Sequence, residues 1–128
     1  MKNDYILGLE GKIHGYHTRL KELHFSAPSY SLHKIIDDFD EELLKFDDEI
    51  MEDAQVLFET IQPGEIKPVL PEETEIEALL QAIRGTLADM KTKLKGNLYT
   101  GILNVVDDFW HTVNKTIYLV QIAKKSIH

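Results

Sequence analysis

Residues 29–61, SYSLHKIIDDFDEELLKFDDEIMEDAQVLFETI, carry the longest helical signal in the chain. Ile36, Phe39, Leu43, Phe46, Ile50 and Leu57 recur three, four or seven residues apart, so they share one face of an α-helix. Ser29 or Ser31 supplies the N-cap that opens it. A second stripe, His33, Asp37, Asp48 and Glu52, falls within about 100° of arc and is centred about 150° from the apolar one. These four are mirrored: Asp48 and Glu52 follow the point between residues 42 and 43 at the distances by which Asp37 and His33 precede it. A rise of 1.5 Å per residue parts Asp37 from Asp48 by roughly 16 Å, so one chain cannot bring both to a common ion. Two copies of the helix, antiparallel and crossing near residues 42 and 43, set His33 opposite the partner's Glu52 and Asp37 opposite the partner's Asp48, in two identical sites. Imidazole with carboxylates is a transition-metal ligand set. Leu44 and Met51 share the outward side, and an apolar pair among carboxylates suits a surface covered by a partner. The alternative is a solvated acidic face with one incidental histidine.

Outward from this segment the same periodicity predicts three more helices and no strand. The first, 4–25, carries Ile6, Leu9, Ile13, Tyr16, Leu20 and Leu23, and Ser26, Ala27 and Pro28 form a tight turn after it. Pro63, Gly64, Pro68 and Pro71 make 62–73 an extended connector, able to span up to about 40 Å. Thr74 and Glu77 have capping-box spacing and open a third helix with Ile76, Leu80, Ile83, Leu87, Met90 and Leu94, ended by Gly96. The fourth, from Asn97, bears Leu98, Ile102, Val106, Phe109, Val113, Ile117 and Val120, with Lys124 and Lys125 at its negative dipole end. Short links flanking a long central one predict an all-α, antiparallel four-helix bundle of ferritin-like connectivity over a single domain, 1–128. Up-down-up-down order stays open.

At 128 residues and 43% hydrophobic content the chain can bury one core. No apolar run is long enough for a membrane span, and Asp4, Gly8 and Glu10 interrupt any secretory signal, so a soluble cytoplasmic protein is expected. The absence of cysteine excludes disulfides and thiolate ligands or nucleophiles. A net charge of -8 argues against nucleic-acid binding and favours cations. No phosphate loop or G-x-S-x-G elbow occurs, so hydrolase and nucleotide-binding chemistry lack support. Glu10, His17 and His24 recur every seven residues along the first helix; His17 reads best as a hydrogen-bonded residue at a helix contact, with a supporting role beside a metal as the sharper option. Asp108 and His111 have the spacing of a bundle-core di-iron motif, but only one copy exists and the third helix offers no carboxylate at its core positions. Trp110, Tyr99 and Tyr118 are packing or interface aromatics, and His14 and His128 are expected in solvent.

The segment HFSAPSYSLHKIIDDFDEELLKFDDEIMED, 24–53, resembles the ferroxidase region of the Dps family, the DNA-binding proteins from starved cells, which are mini-ferritins of the ferritin-like superfamily. In that family a histidine near the end of the first helix precedes a His-x-x-x-Asp pair, and an Asp-x-x-x-Glu pair begins eleven residues after the first Asp. His24, His33, Asp37, Asp48 and Glu52 match those places. NKTIYLVQI, from Asn114, is loosely similar to the family's closing Lys-Thr-aromatic-Met-Leu stretch. The likeness covers 10–61 well and 97–123 loosely. It implies an iron site at a two-fold dimer interface, with His24, His33 and Asp37 from one subunit and Asp48 and Glu52 from the other. The two histidines would bind entering Fe(II), Asp37 and Glu52 would anchor it, and Asp48 would ligate a second iron or a water. Peroxide or dioxygen would be the oxidant and iron detoxification the purpose, with storage if a twelve-subunit cage assembles. Zinc and manganese are the substitute ions. Phe25 replaces the family's usual Trp, the link from His24 to His33 is shorter, the connector is too short for the family's small extra helix, and no lysine-rich tail precedes the bundle. DNA binding is therefore not implied. The competing function is a metal-free dimeric helical adaptor or structural protein, which would have to hold carboxylates together at the two-fold by protonation or against repulsion.

Overall fold

The computed structural model describes residues 3–125, with helices α1 (Asp4–Phe25), α2 (Tyr30–Leu57), α3 (Ile76–Lys93) and α4 (Thr100–Lys125). The apolar stripes of all four meet in one core, where Leu20, Leu79, Leu80, Met90, Val106 and Val113 are wholly buried. Phe109 stacks between Phe46 and Phe39, at ring-centroid distances of 4.4 and 5.6 Å, and so ties α4 to α2. Each of α1 and α4 packs against both α2 and α3. No strand occurs among the described residues, and no described helix is long and apolar enough to cross a membrane.

Contacts at the two ends set the chain order. Asn3 Nδ2 donates to the Glu59 carbonyl (3.1 Å) and the Tyr5 hydroxyl to Asp89 (3.2 Å), so α1 begins where α2 and α3 finish. At the opposite end Leu23, Leu32, Ile76 and Lys124 line one cleft, so α2 and α3 both start beside the ends of α1 and α4. The order is up, down, down, up, and the up-down-up-down alternative is excluded. The connector must therefore climb the bundle, and it does so along α1. Val69 N–H donates to the Gly11 carbonyl (2.9 Å) and Arg19 Nη2 to that of Pro71 (3.0 Å). A Cβ on Gly11 would stand 2.3 Å from the Lys67 carbonyl oxygen, and one on Gly15 1.8 Å from that of Val69, so these glycines form the groove in which the connector lies.

Several ends differ from the periodicity. Ser29 caps α2 as expected, its side chain accepting from Leu32 N–H at 3.2 Å, but the helix stops at Leu57 rather than Ile61. Asn3 captures the Glu59 carbonyl, and Phe58, stacked on Tyr99 at 6.3 Å, turns extended to reach the core. The Thr74–Glu77 capping box does not form. Glu75 caps α3 by accepting from Glu77 N–H and Ala78 N–H (3.2 and 3.1 Å), while Glu77 pairs with Lys124 at 2.9 Å. Residues 97–99 form a 3-10 turn behind Gly96 (φ +105°), which rotates Leu98 off the stripe and leaves it 57% exposed.

Candidate metal centre

The seven-residue spacing of Glu10, His17 and His24 on α1 meets an equal spacing on α2: His24 lies on His33, His17 on Asp40 and Glu10 on Asp47. Antiparallel helices keep such a register because two turns advance both chains alike, and the polar seam runs alongside the core stripe.

At the first rung the imidazoles of His24 and His33 stack with centroids 3.7 Å apart. His24 Nδ1 lies 3.1 Å from the His33 carbonyl oxygen, and His33 Nδ1 lies 3.0 Å from that of His24. A carbonyl only accepts, so each Nδ1 carries the hydrogen, and in a neutral ring this tautomer leaves the lone pair on Nε2. Neither Nε2 has a protein partner among the described residues. This is how metal-binding imidazoles are commonly oriented. Phe25 sits edge-on to His24 at 5.2 Å, Tyr30 stacks on His33 at 6.2 Å, and both aromatics are largely exposed.

At the middle rung His17 Nδ1 bonds the buried Asp40 carboxylate at 2.8 Å, the helix contact expected for His17. Lys21 Nζ lies 3.8 Å from both Asp40 and Asp37, so two basic side chains attend Asp40 and one attends Asp37. Asp48 and Glu52 are exposed. His24, His33 and Asp37, the half-site expected of one subunit, do not form a group of three with ligand atoms within 4.8 Å of one another, and Asp48 and Glu52 lie too far along α2 to join them.

The third rung escaped notice in the sequence. Glu10 is 2% exposed and faces Asp47, and the only basic group within 4 Å of its carboxylate, among the described residues, is His14, with Nε2 at 3.3 Å. Glu10 Oε1 and Asp47 Oδ1 are buried without a hydrogen-bond donor. Burial, with Asp47 and Asp48 adding to it, pushes the Glu10 carboxyl up to about 9. Ligand atoms of Glu10, His14 and Asp47 lie within 4.8 Å of one another, the one such group of three among the described residues. His14, expected in solvent, is half-exposed and paired; His128 lies outside the described residues. Pairing the α1 heptad with Asp47, Asp40 and His33 read backwards along α2 would have found this contact.

Asp108 and His111 are exposed on α4 and cannot form a core di-iron site. Tyr99 and Trp110 pack against the core, whereas Tyr118 is 60% exposed. Comparison with protein-family models, curated proteins and solved structures finds no match to the chain.

Proposed function

We propose that this chain is a Dps-like, ferritin-like cytoplasmic protein that binds Fe(II) and oxidises it with peroxide or dioxygen at sites shared across a two-fold dimer, for iron detoxification or storage. The observation that carries this reading is the reciprocal clasp of His24 and His33, which leaves two Nε2 atoms without a protein partner, with Asp37 one turn from His33 along α2. Exposed Phe25, Tyr30 and Leu44 favour a partner over that face. The antiparallel meeting of two α2 helices would add Asp48 and Glu52 from the second subunit.

In the chemistry two Fe(II) ions each lose one electron to one hydrogen peroxide. Its O–O bond breaks, two protons are taken up, and two waters and two Fe(III) result. The chain's part is to supply neutral imidazoles that capture the divalent ion and carboxylates that favour the more highly charged product. Peroxide consumed this way yields no hydroxyl radical. The Lys21–Asp37 contact favours the competing metal-free adaptor, because an ammonium already attends one of the carboxylates.

Anaerobic Fe(II) titration followed by peroxide tests the proposal. The wild type should show saturable Fe(II) binding and a rise in ferric absorbance that His33→Ala and Asp48→Ala lose, while sedimentation reports the oligomer. Equal behaviour of all three proteins would leave the adaptor as the better description.

A further inference from the structure

We propose that Glu10 and His14 of α1 and Asp47 of α2 form a second, intrachain site for one divalent transition-metal ion, independent of any dimer. Its ligands come from one subunit and share no residue with the stripe of α2.

The middle rung provides the contrast. Asp40, as deeply buried as Glu10, is met by the His17 ring at 2.8 Å and the Lys21 ammonium at 3.8 Å, so its charge is answered within the fold. At the third rung the same register brings carboxyl against carboxyl, and no lysine or arginine among the described residues lies within 4 Å of either. Two buried acceptor oxygens, Glu10 Oε1 and Asp47 Oδ1, are left without a donor. Orphaned charged acceptors in a low-dielectric seam are costly unless a cation or a proton joins them.

A shared proton would need only the two carboxyls. Here a third ligand converges: the His14 ring, one turn beyond Glu10 on α1, places Nε2 3.3 Å from Glu10 Oε2. Its half-exposed position gives an ion a route from solvent to the covered Glu10 carboxylate. Two carboxylates and one imidazole suit Zn(II), Co(II), Mn(II) or Fe(II), and the spread of up to 4.8 Å among ligand atoms is within what an ion bound at about 2.1 Å from each can close by small side-chain rotations. The ion would pin α1 to α2 at the third rung of the seam.

The test uses His33→Ala as background, which removes one of the two imidazoles of the proposed shared site and breaks their clasp. Metal-free protein is titrated with Zn(II) by calorimetry and with Co(II) by visible absorption, and melting is recorded with and without Zn(II). One equivalent per chain should bind in the background and raise its melting temperature. Adding Glu10→Gln, Asp47→Asn or His14→Ala should weaken that binding by about tenfold or more and abolish the Zn(II)-dependent rise. His14→Ala alters a half-exposed side chain and so reports on binding even if a buried substitution fails to fold. Absence of a one-equivalent site in the background, or unchanged affinity in His14→Ala, overturns the proposal and leaves a shared proton as the occupant of the carboxyl pair. Loss of iron oxidation in His33→Ala with Zn(II) binding intact would establish that the two sites stand or fall separately.

Discussion

Lys21 separates the two interpretations of the outer α1–α2 face at the scale of a single side chain. Its ammonium lies 3.8 Å from Asp37 Oδ1 and 3.8 Å from Asp40 Oδ2, and the side chain is 45% exposed. If Asp37 takes Fe(II), this cation opposes the incoming ion and competes for the same oxygen. A half-exposed pair of this kind is worth about 1 kcal/mol or less, so Lys21→Met should tighten Fe(II) binding by up to about fivefold. Asp40 keeps its bond to His17, and the fold should therefore tolerate the change. Calorimetric titration under anaerobic conditions measures the effect; weaker binding in Lys21→Met would identify Lys21 as the residue that holds Asp37 in place.

At the scale of elements, the crossover depends on a surface made by missing side chains. The connector carbonyls of Lys67 and Val69 approach α1 where Gly11 and Gly15 have no Cβ, and Val69 N–H bonds Gly11 there. Gly15→Ala gains about 1 kcal/mol of helix propensity but drives a methyl into the Val69 carbonyl, so the connector must lift and its hydrogen bonds are lost; a net loss of about 1–3 kcal/mol is expected. Gly85→Ala on α3 meets nothing within 4 Å and should stabilise by about 0.5–1 kcal/mol. Urea unfolding of both variants checks the pair, and opposite signs are the expected outcome. These glycines also mark how far the sequence could be read. Apolar stripes, the Ser29 cap and the long central link are local patterns, and they predict four helices and one crossover. The groove is different, because a glycine in a helix does not announce which distant backbone will pass over it. The early end of α2 and the outward turn of Leu98 arise likewise from contacts made only in the folded bundle.

On the scale of the whole molecule, the His24–His33 rung was legible as two ligand-type residues, but their mutual clasp required the α1–α2 register. The Glu10–Asp47 rung is illegible for the same reason: half of its heptad stands on α1 and the answering half on α2, and only the register of the two helices joins them. The proposed shared site goes further, since its second half would belong to another subunit. That sharing has a consequence no single-chain site can imitate. In a dimer of His33→Ala with Asp48→Ala, one site has lost both residues, whereas the other takes His33 from one subunit and Asp48 from the other and is intact. Random re-pairing of equal amounts makes about half of the dimers mixed, so the mixture should regain about a quarter of wild-type peroxide-driven iron oxidation from two inactive parents. Stopped-flow ferric absorbance before and after subunit exchange measures it. A mixture no more active than the average of its parents would place His33 and Asp48 in separate roles and remove the two-fold site from consideration.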